Sequence, residues 1–127
     1  HVCYSYPMPG VPRPIVDAYP AILTELEHSK VDQLALEFEA SSLDPGLLAL
    51  CPSKTVLFGC VDNGALGFDR VERPEQIAAR LLMAAEYLPA DQIQAAPDCG
   101  LVPLDIDIAR RKLKVMVEGA KLARSQL

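Results

Sequence analysis

The chain has 127 residues, half of them apolar, which is the size of one ordinary domain with enough apolar side chains for a real core. Twelve Lys and Arg against seventeen Asp and Glu leave a net charge of −5, with the two signs interspersed. The apolar share excludes a disordered or fibrous chain, and the charge balance argues against a nucleic-acid or acidic-membrane surface, both of which need a basic face. The longest apolar runs, residues 56–61 and 81–85, fall far short of the roughly 20 residues of a membrane span. No basic stretch followed by an apolar block is found at the start, so no signal peptide is expected. The chain is accordingly expected in the cytoplasm, where Cys3, Cys51, Cys60 and Cys99 read as thiols or metal ligands rather than as a disulfide framework.

Short apolar runs alternate with amphipathic segments along the chain. Strands are predicted at residues 2–5, 33–38, 55–61 and 92–96, each apolar on both faces as buried parallel strands are. A first helix is predicted at 17–29, with Ile22, Leu23 and Leu26 as its apolar stripe and Pro20 tolerated in the first turn. At 44–50, Asp44 reads as a cap and Pro45 as the first helical position. A firmer helix opens at Pro74, sets Ile77, Leu81, Leu82, Ala85 and Leu88 on one side, and closes at Pro89. The last helix, 105–125, turns Ile106, Ala109, Leu113, Met116, Val117 and Ala120 inward and Arg110, Lys114, Glu118 and Lys121 to water; residues 110–114 read as a solvated face rather than a phosphate cradle. The order β-α-β-α-β-α-β-α implies a parallel sheet with right-handed crossovers. With no linker, repeat or shift of composition, residues 1–127 read as one unit.

Four such units make half of a (β/α)8 TIM barrel, whose usual size is about 250 residues. A curved sheet of four strands would leave two unpaired edges and an open apolar concave face. The expected architecture is therefore the C-terminal half of a TIM barrel, completed by an amino-terminal portion or by a second copy of the chain. His1, which reads as lying inside a strand rather than before one, agrees with truncation.

Candidate chemistry begins with His1-Val2-Cys3. On a strand, residues i and i+2 share a face, so the imidazole and thiolate can bind one ion without bending the backbone. Alone the pair is a weak signal, because such spacing also arises by chance. Glu37 ends the run Leu34-Ala35-Leu36 with a charge, which calls for a cation there or for a strand end open to solvent. Pro97-Asp98-Cys99-Gly100 follows the fourth strand, where Pro and Gly stop the strand and aim the side chains between them into a loop. All these groups fall at the carboxyl ends of strands, the rim on which barrel active sites are built. His1, Cys3 and Cys99 would supply one nitrogen and two sulfurs, Glu37 a displaceable oxygen, and zinc is the ion that such ligands favour. Asp98 is expected either to orient a ligand histidine through a hydrogen bond or to cap the following turn. Cys51 reads as a small loop residue, Cys60 as a buried apolar one, and His28 as a solvated partner of a helix end.

In order and approximate spacing, His1-Val2-Cys3, Leu36-Glu37-Phe38, Gly59-Cys60-Val61-Asp62 and Ala96-Pro97-Asp98-Cys99-Gly100-Leu101 resemble the carboxyl-terminal catalytic barrel of cobalamin-independent methionine synthase, in particular its short, single-barrel members. The resemblance covers essentially the whole chain. It implies that His1, Cys3, Glu37 and Cys99 bind Zn2+, with Glu37 displaceable, and that a methyl group passes from 5-methyltetrahydrofolate or a related donor to the thiol of homocysteine. Related zinc-dependent alkyltransferases acting on thiols such as coenzyme M share the ligand pattern. One departure stands out. Long, folate-dependent members carry a histidine for proton donation after the Asp of the third strand, whereas this chain reads Val61-Asp62-Asn63-Gly64, and an amide cannot protonate a leaving nitrogen. Two other readings stand beside the enzyme: a non-catalytic, zinc-holding half barrel, and a metal-free barrel like the uroporphyrinogen decarboxylases, against which the ligand quartet argues.

Overall fold

A computed structural model describes residues 1–6, 11–64, 67 and 69–127. Its centre is a parallel sheet of β1 (Gln33–Leu36), β2 (Thr55–Val61) and β3 (Ile93–Pro97), in the spatial order β1-β2-β3. The register runs Gln33 opposite Thr55 and Val56 opposite Ile93, with an irregularity between Gly59 and Val61. Around it lie α1 (Tyr19–Glu27), α2 (Pro74–Ala84) and α3 (Ile106–Arg124).

The predicted strand at 2–5 contracts to one parallel bridge between Val2 and Leu36. The physical reason is local. Val2 exchanges main-chain hydrogen bonds with Ala35 and Glu37, but the N–H of Tyr4 turns to the Glu37 carboxylate and Ser5 takes a left-handed φ of 72°, so the ladder cannot continue. The predicted helix at 44–50 is a 3-10 helix, Pro45–Leu50, in which the Asp44 side chain accepts from the N–H of Gly46 at 2.8 Å. The four helical units are thus three α-helices and one tighter turn, and the four strands are three strands and a bridge.

Leu34, Leu36, Val56, Phe58 and Cys60 share one face of the sheet and are buried together with Leu23, Ile77 and Ala84. The opposite face is only half covered: Ala35, Leu57 and Ala96 line an open groove of about 610 Å³ with Leu101, Ala109 and Leu113. Here the expected orientation of the last helix is corrected. Lys112, Gly119 and Ala123 are its buried residues, whereas Ile106, Leu113 and Val117 are exposed. Gly119 decides this packing, because a Cβ there would come within 2.6 Å of Ile77 and 2.8 Å of the Pro74 carbonyl, so only glycine allows α3 to lie so close to α2. Lys112 also departs from the solvated face read for 110–114. It is 1% exposed, and its ammonium donates to both oxygens of Glu72 at 2.9 and 3.0 Å.

Candidate metal centre

Because all strands are parallel, their carboxyl ends share one rim. His1 and Cys3 flank the Val2 bridge beside the end of β1, and Cys99 lies two residues past the end of β3. In a flat sheet those positions would be three strand spacings apart, about 14 Å at about 4.8 Å each. They instead converge: His1 Nε2 is 3.2 Å from Cys99 Sγ, Cys99 Sγ is 3.6 Å from Cys3 Sγ, and one donor atom from each of the three lies within 4.8 Å of the others. The rim is therefore strongly curved. The Ser5 N–H donates to Cys3 Sγ at 3.4 Å. Burial, followed by the neighbouring Cys3 thiol, pushes the Cys99 thiol up to about 11, so this sulfur resists ionisation unless a cation joins it. One imidazole and two thiols within this reach fit a tetrahedral divalent ion of the zinc type with one position left over.

Glu37 stands outside that cluster. It ends β1 almost completely buried, with Oε2 accepting from the Tyr4 N–H at 2.6 Å and Oε1 accepting from Arg13 Nη1 at 2.5 Å and from the Ser41 hydroxyl. Its buried charge is thus met by a guanidinium rather than by exposure of the strand end. Arg13, Ser41 and Tyr19 were missed in the sequence. Arg13 had a signal in its two flanking prolines, Pro12 and Pro14, which stiffen the backbone on either side. The Tyr19 hydroxyl sits between the carbonyls of Val2 and Glu37 at 3.0 and 2.9 Å, and burial followed by the Glu37 charge keeps that phenol protonated and a donor. Stacking of Tyr4 on Tyr19, and of Tyr19 edge-on against Phe38, ties this rim into the core.

Asp98 takes neither of the two roles expected of it. Fully buried, it accepts from the N–H groups of Phe38 and Glu39 at 2.9 Å and of Ala40 at 2.6 Å, so it clamps the turn after β1 to the loop that carries Cys99. Burial pushes its carboxyl up to about 7 against those three donors, which pull it down. The clamp crosses over β2 at Gly59, where a Cβ would collide with Asp98 Oδ1 and lie 2.6 Å from the Leu36 carbonyl. Cys60 and Cys51 are buried, and burial pushes their thiols up to about 12 and 11, so neither is a nucleophile at neutral pH. At the exit of β2, Asn63 is buried and its Oδ1 accepts no hydrogen bond among the described residues.

A family model described as the catalytic domain of cobalamin-independent synthase matches residues 14–122. The methionine synthase of Thermococcus kodakarensis is 33% identical over all of this chain, and that of Sulfurisphaera tokodaii 31%. A B12-independent methionine synthase from Shewanella sp. W3-18-1, solved in complex with selenomethionine, superposes on 99% of this chain with a TM-score of 0.86 at 27% identity. The chain spans only 34%, 33% and 38% of the length of these three proteins. With the family's domain matched over most of its length, this chain belongs to the cobalamin-independent methionine synthase family.

Proposed function

We propose that this chain is the metal-bearing half of a (β/α)8 barrel that transfers a methyl group to the thiol of homocysteine, forming methionine. The observation that carries the reading is the convergence of His1, Cys3 and Cys99 from opposite edges of the sheet. Zinc held there would lower the pKa of a bound substrate thiol, so that the thiolate, the stronger nucleophile, is present at neutral pH. His1, Cys3 and Cys99 are the protein donors of this centre, and Glu37 is the group that exchanges with the substrate sulfur at the fourth position. Asp98 fixes the loop of Cys99, and Tyr19 and the Ser5 N–H hold the segment of His1 and Cys3. The Shewanella relative was solved in complex with selenomethionine, the selenium analogue of methionine, which fits a product of this kind.

The open groove beside the centre, lined by Ala35, Leu57 and Ala96, is the concave wall of the barrel, and an amino-terminal portion or a second copy completes it. Asn63 stands where long members hold their proton-donating histidine, so the methyl donor is either a folate protonated by another group or a donor whose departure needs no proton. No described helix is long and apolar enough to cross a membrane. Cys3 and Cys99 are free thiols, as the reducing cytoplasm would keep them.

The test uses the intact protein that carries this chain. It should hold one zinc per chain, lose it in Cys99→Ser, and methylate homocysteine in a panel of folate and corrinoid donors. A protein that keeps zinc yet alkylates neither homocysteine nor coenzyme M is not an enzyme of this type.

A further inference from the structure

Once a substrate thiol joins Cys3 and Cys99 at the proposed centre, three sulfurs meet there and only one is to be methylated. In the transfer, the substrate sulfur's electron pair forms the new S–C bond while the donor–methyl bond breaks and its pair leaves with the donor. Attack by a protein thiolate in its place would leave S-methylcysteine and remove a metal ligand. The hazard falls on Cys99. Among the described residues, His1, Tyr6 and Cys99 line the open groove and Cys3 does not. Cys3 has the Ser5 N–H at 3.4 Å; what meets Cys99 from the groove is the phenol of Tyr6.

A side-chain hydrogen bond joins Tyr6 to Cys99. Burial, followed by the charge and hydrogen bond of that sulfur and then by the charge of Cys3, raises the phenol above its ordinary value. A phenol carries its proton at neutral pH in any case, so the oxygen is the donor and the sulfur the acceptor. The backbone makes room for this contact at Gly100, where a Cβ would lie 2.9 Å from the Tyr6 hydroxyl oxygen. A donor on a thiolate draws on the electron pair that would attack carbon and leaves another lone pair to the metal. We propose that Tyr6, admitted by Gly100, donates its hydroxyl hydrogen to Cys99 and so keeps this thiolate a ligand rather than a competing nucleophile. Tyr6 is a positioning residue that acts through Cys99. The inference rests on the metal centre proposed above.

The experiment uses the intact zinc-loaded protein, with thermal melting and zinc content to show that each variant is folded and loaded. Methyl iodide is the probe, and peptide mass spectrometry reads methylation of Cys99 against Cys3 in the same molecule. Tyr6→Phe keeps the ring and removes the donor, so the Cys99-to-Cys3 ratio should rise about tenfold, the factor that one net hydrogen bond carries. The cobalt-substituted protein gives a second readout. There Tyr6→Phe and Gly100→Ala, whose methyl group displaces the hydroxyl, should each move the sulfur-to-cobalt charge-transfer band to lower energy, and the double variant no further than Tyr6→Phe alone. A ratio that changes by less than about twofold, an equal rise at Cys3, or band shifts that add in the double variant overturns the proposal. If Tyr6→Phe does not fold, Gly100→Ala carries the same expectation in both readouts. Cys99→Ser separates the two readings. If it retains zinc, the metal centre is wrong and the role of Tyr6 falls with it; if it loses zinc and the methylation ratio stays put, only the role of Tyr6 falls.

Discussion

Two clusters of ionisable side chains lie at the carboxyl end of the sheet, and they differ in how their charge is met. At the exit of β2, Glu72 holds Lys112, accepts from the Asp62 N–H at 2.8 Å, and lies near Glu39, which is paired with Arg80. Each of these carboxylates has its own cation within the fold, and the result is a brace between loop, α2 and α3. At the exits of β1 and β3, Glu37 and Asp98 are met by Arg13 and by backbone N–H groups, whereas the sulfurs of Cys3 and Cys99 face each other, the His1 imidazole and the Ser5 N–H. A buried carboxylate with its own donors stabilises the fold, whereas soft donors gathered against one another form the kind of cluster that a metal ion fits. That difference, more than burial or charge alone, separates the candidate centre from the brace beside it.

The contrast is broken most sharply at Lys112. Lys112→Met strands the Glu72 charge in the interior and should cost about 3–5 kcal/mol in urea unfolding, while adding Glu72→Gln, whose amide oxygen still accepts from the Asp62 N–H, should restore most of it. If the single variant is as stable as the wild type, the brace is not one. Next comes Gly59→Ala, whose methyl group would push Asp98 off the turn after β1; about 2–3 kcal/mol of stability should go with it, measured in the same way. Asp98→Asn is milder, since one oxygen survives. It sets an amide donor against a backbone N–H, most directly that of Ala40, at about 2 kcal/mol, and loosens Cys99 enough to weaken zinc about tenfold. An Asn variant that melts and binds metal like the wild type would leave the clamp without a role.

The smallest effect lies in the pH dependence of Glu39. Burial first, with the Arg80 guanidinium opposing it, raises its carboxyl from 4.5 to about 6. The folded state therefore binds this proton more tightly than the unfolded state, so its contribution is present below about 4.5 and lost as pH rises to about 6. Across that window the wild type should lose stability relative to Glu39→Gln, and parallel unfolding curves at both ends would refute it.

Much of the fold was legible because it follows from periodicity. The buried faces of β1 and β2, Pro20 in the first turn of α1 and Pro45 in that of the 3-10 helix, and the sequestered Cys60 all follow from local patterns. The last helix was misjudged where a long-range partner reversed the local reading: Lys112 reads as a solvated charge until Glu72, forty residues away in the chain, turns it inward. The short first strand was overextended because the acceptor of the Tyr4 N–H is a side chain on another element.

The sequence by itself determined the types of residue at the strand ends and their spacing, since a parallel sheet places every carboxyl end on one rim. That was enough to nominate His1, Cys3, Glu37 and Cys99 as a set. Only the tertiary structure decided how they divide. Curvature brings three of them within reach of one another, and Glu37 lies against Arg13, a contact across 24 residues of the chain. Spacing along a chain records which side chains face a common space, but the distance between them and the charge that answers each one exist only after the sheet has bent.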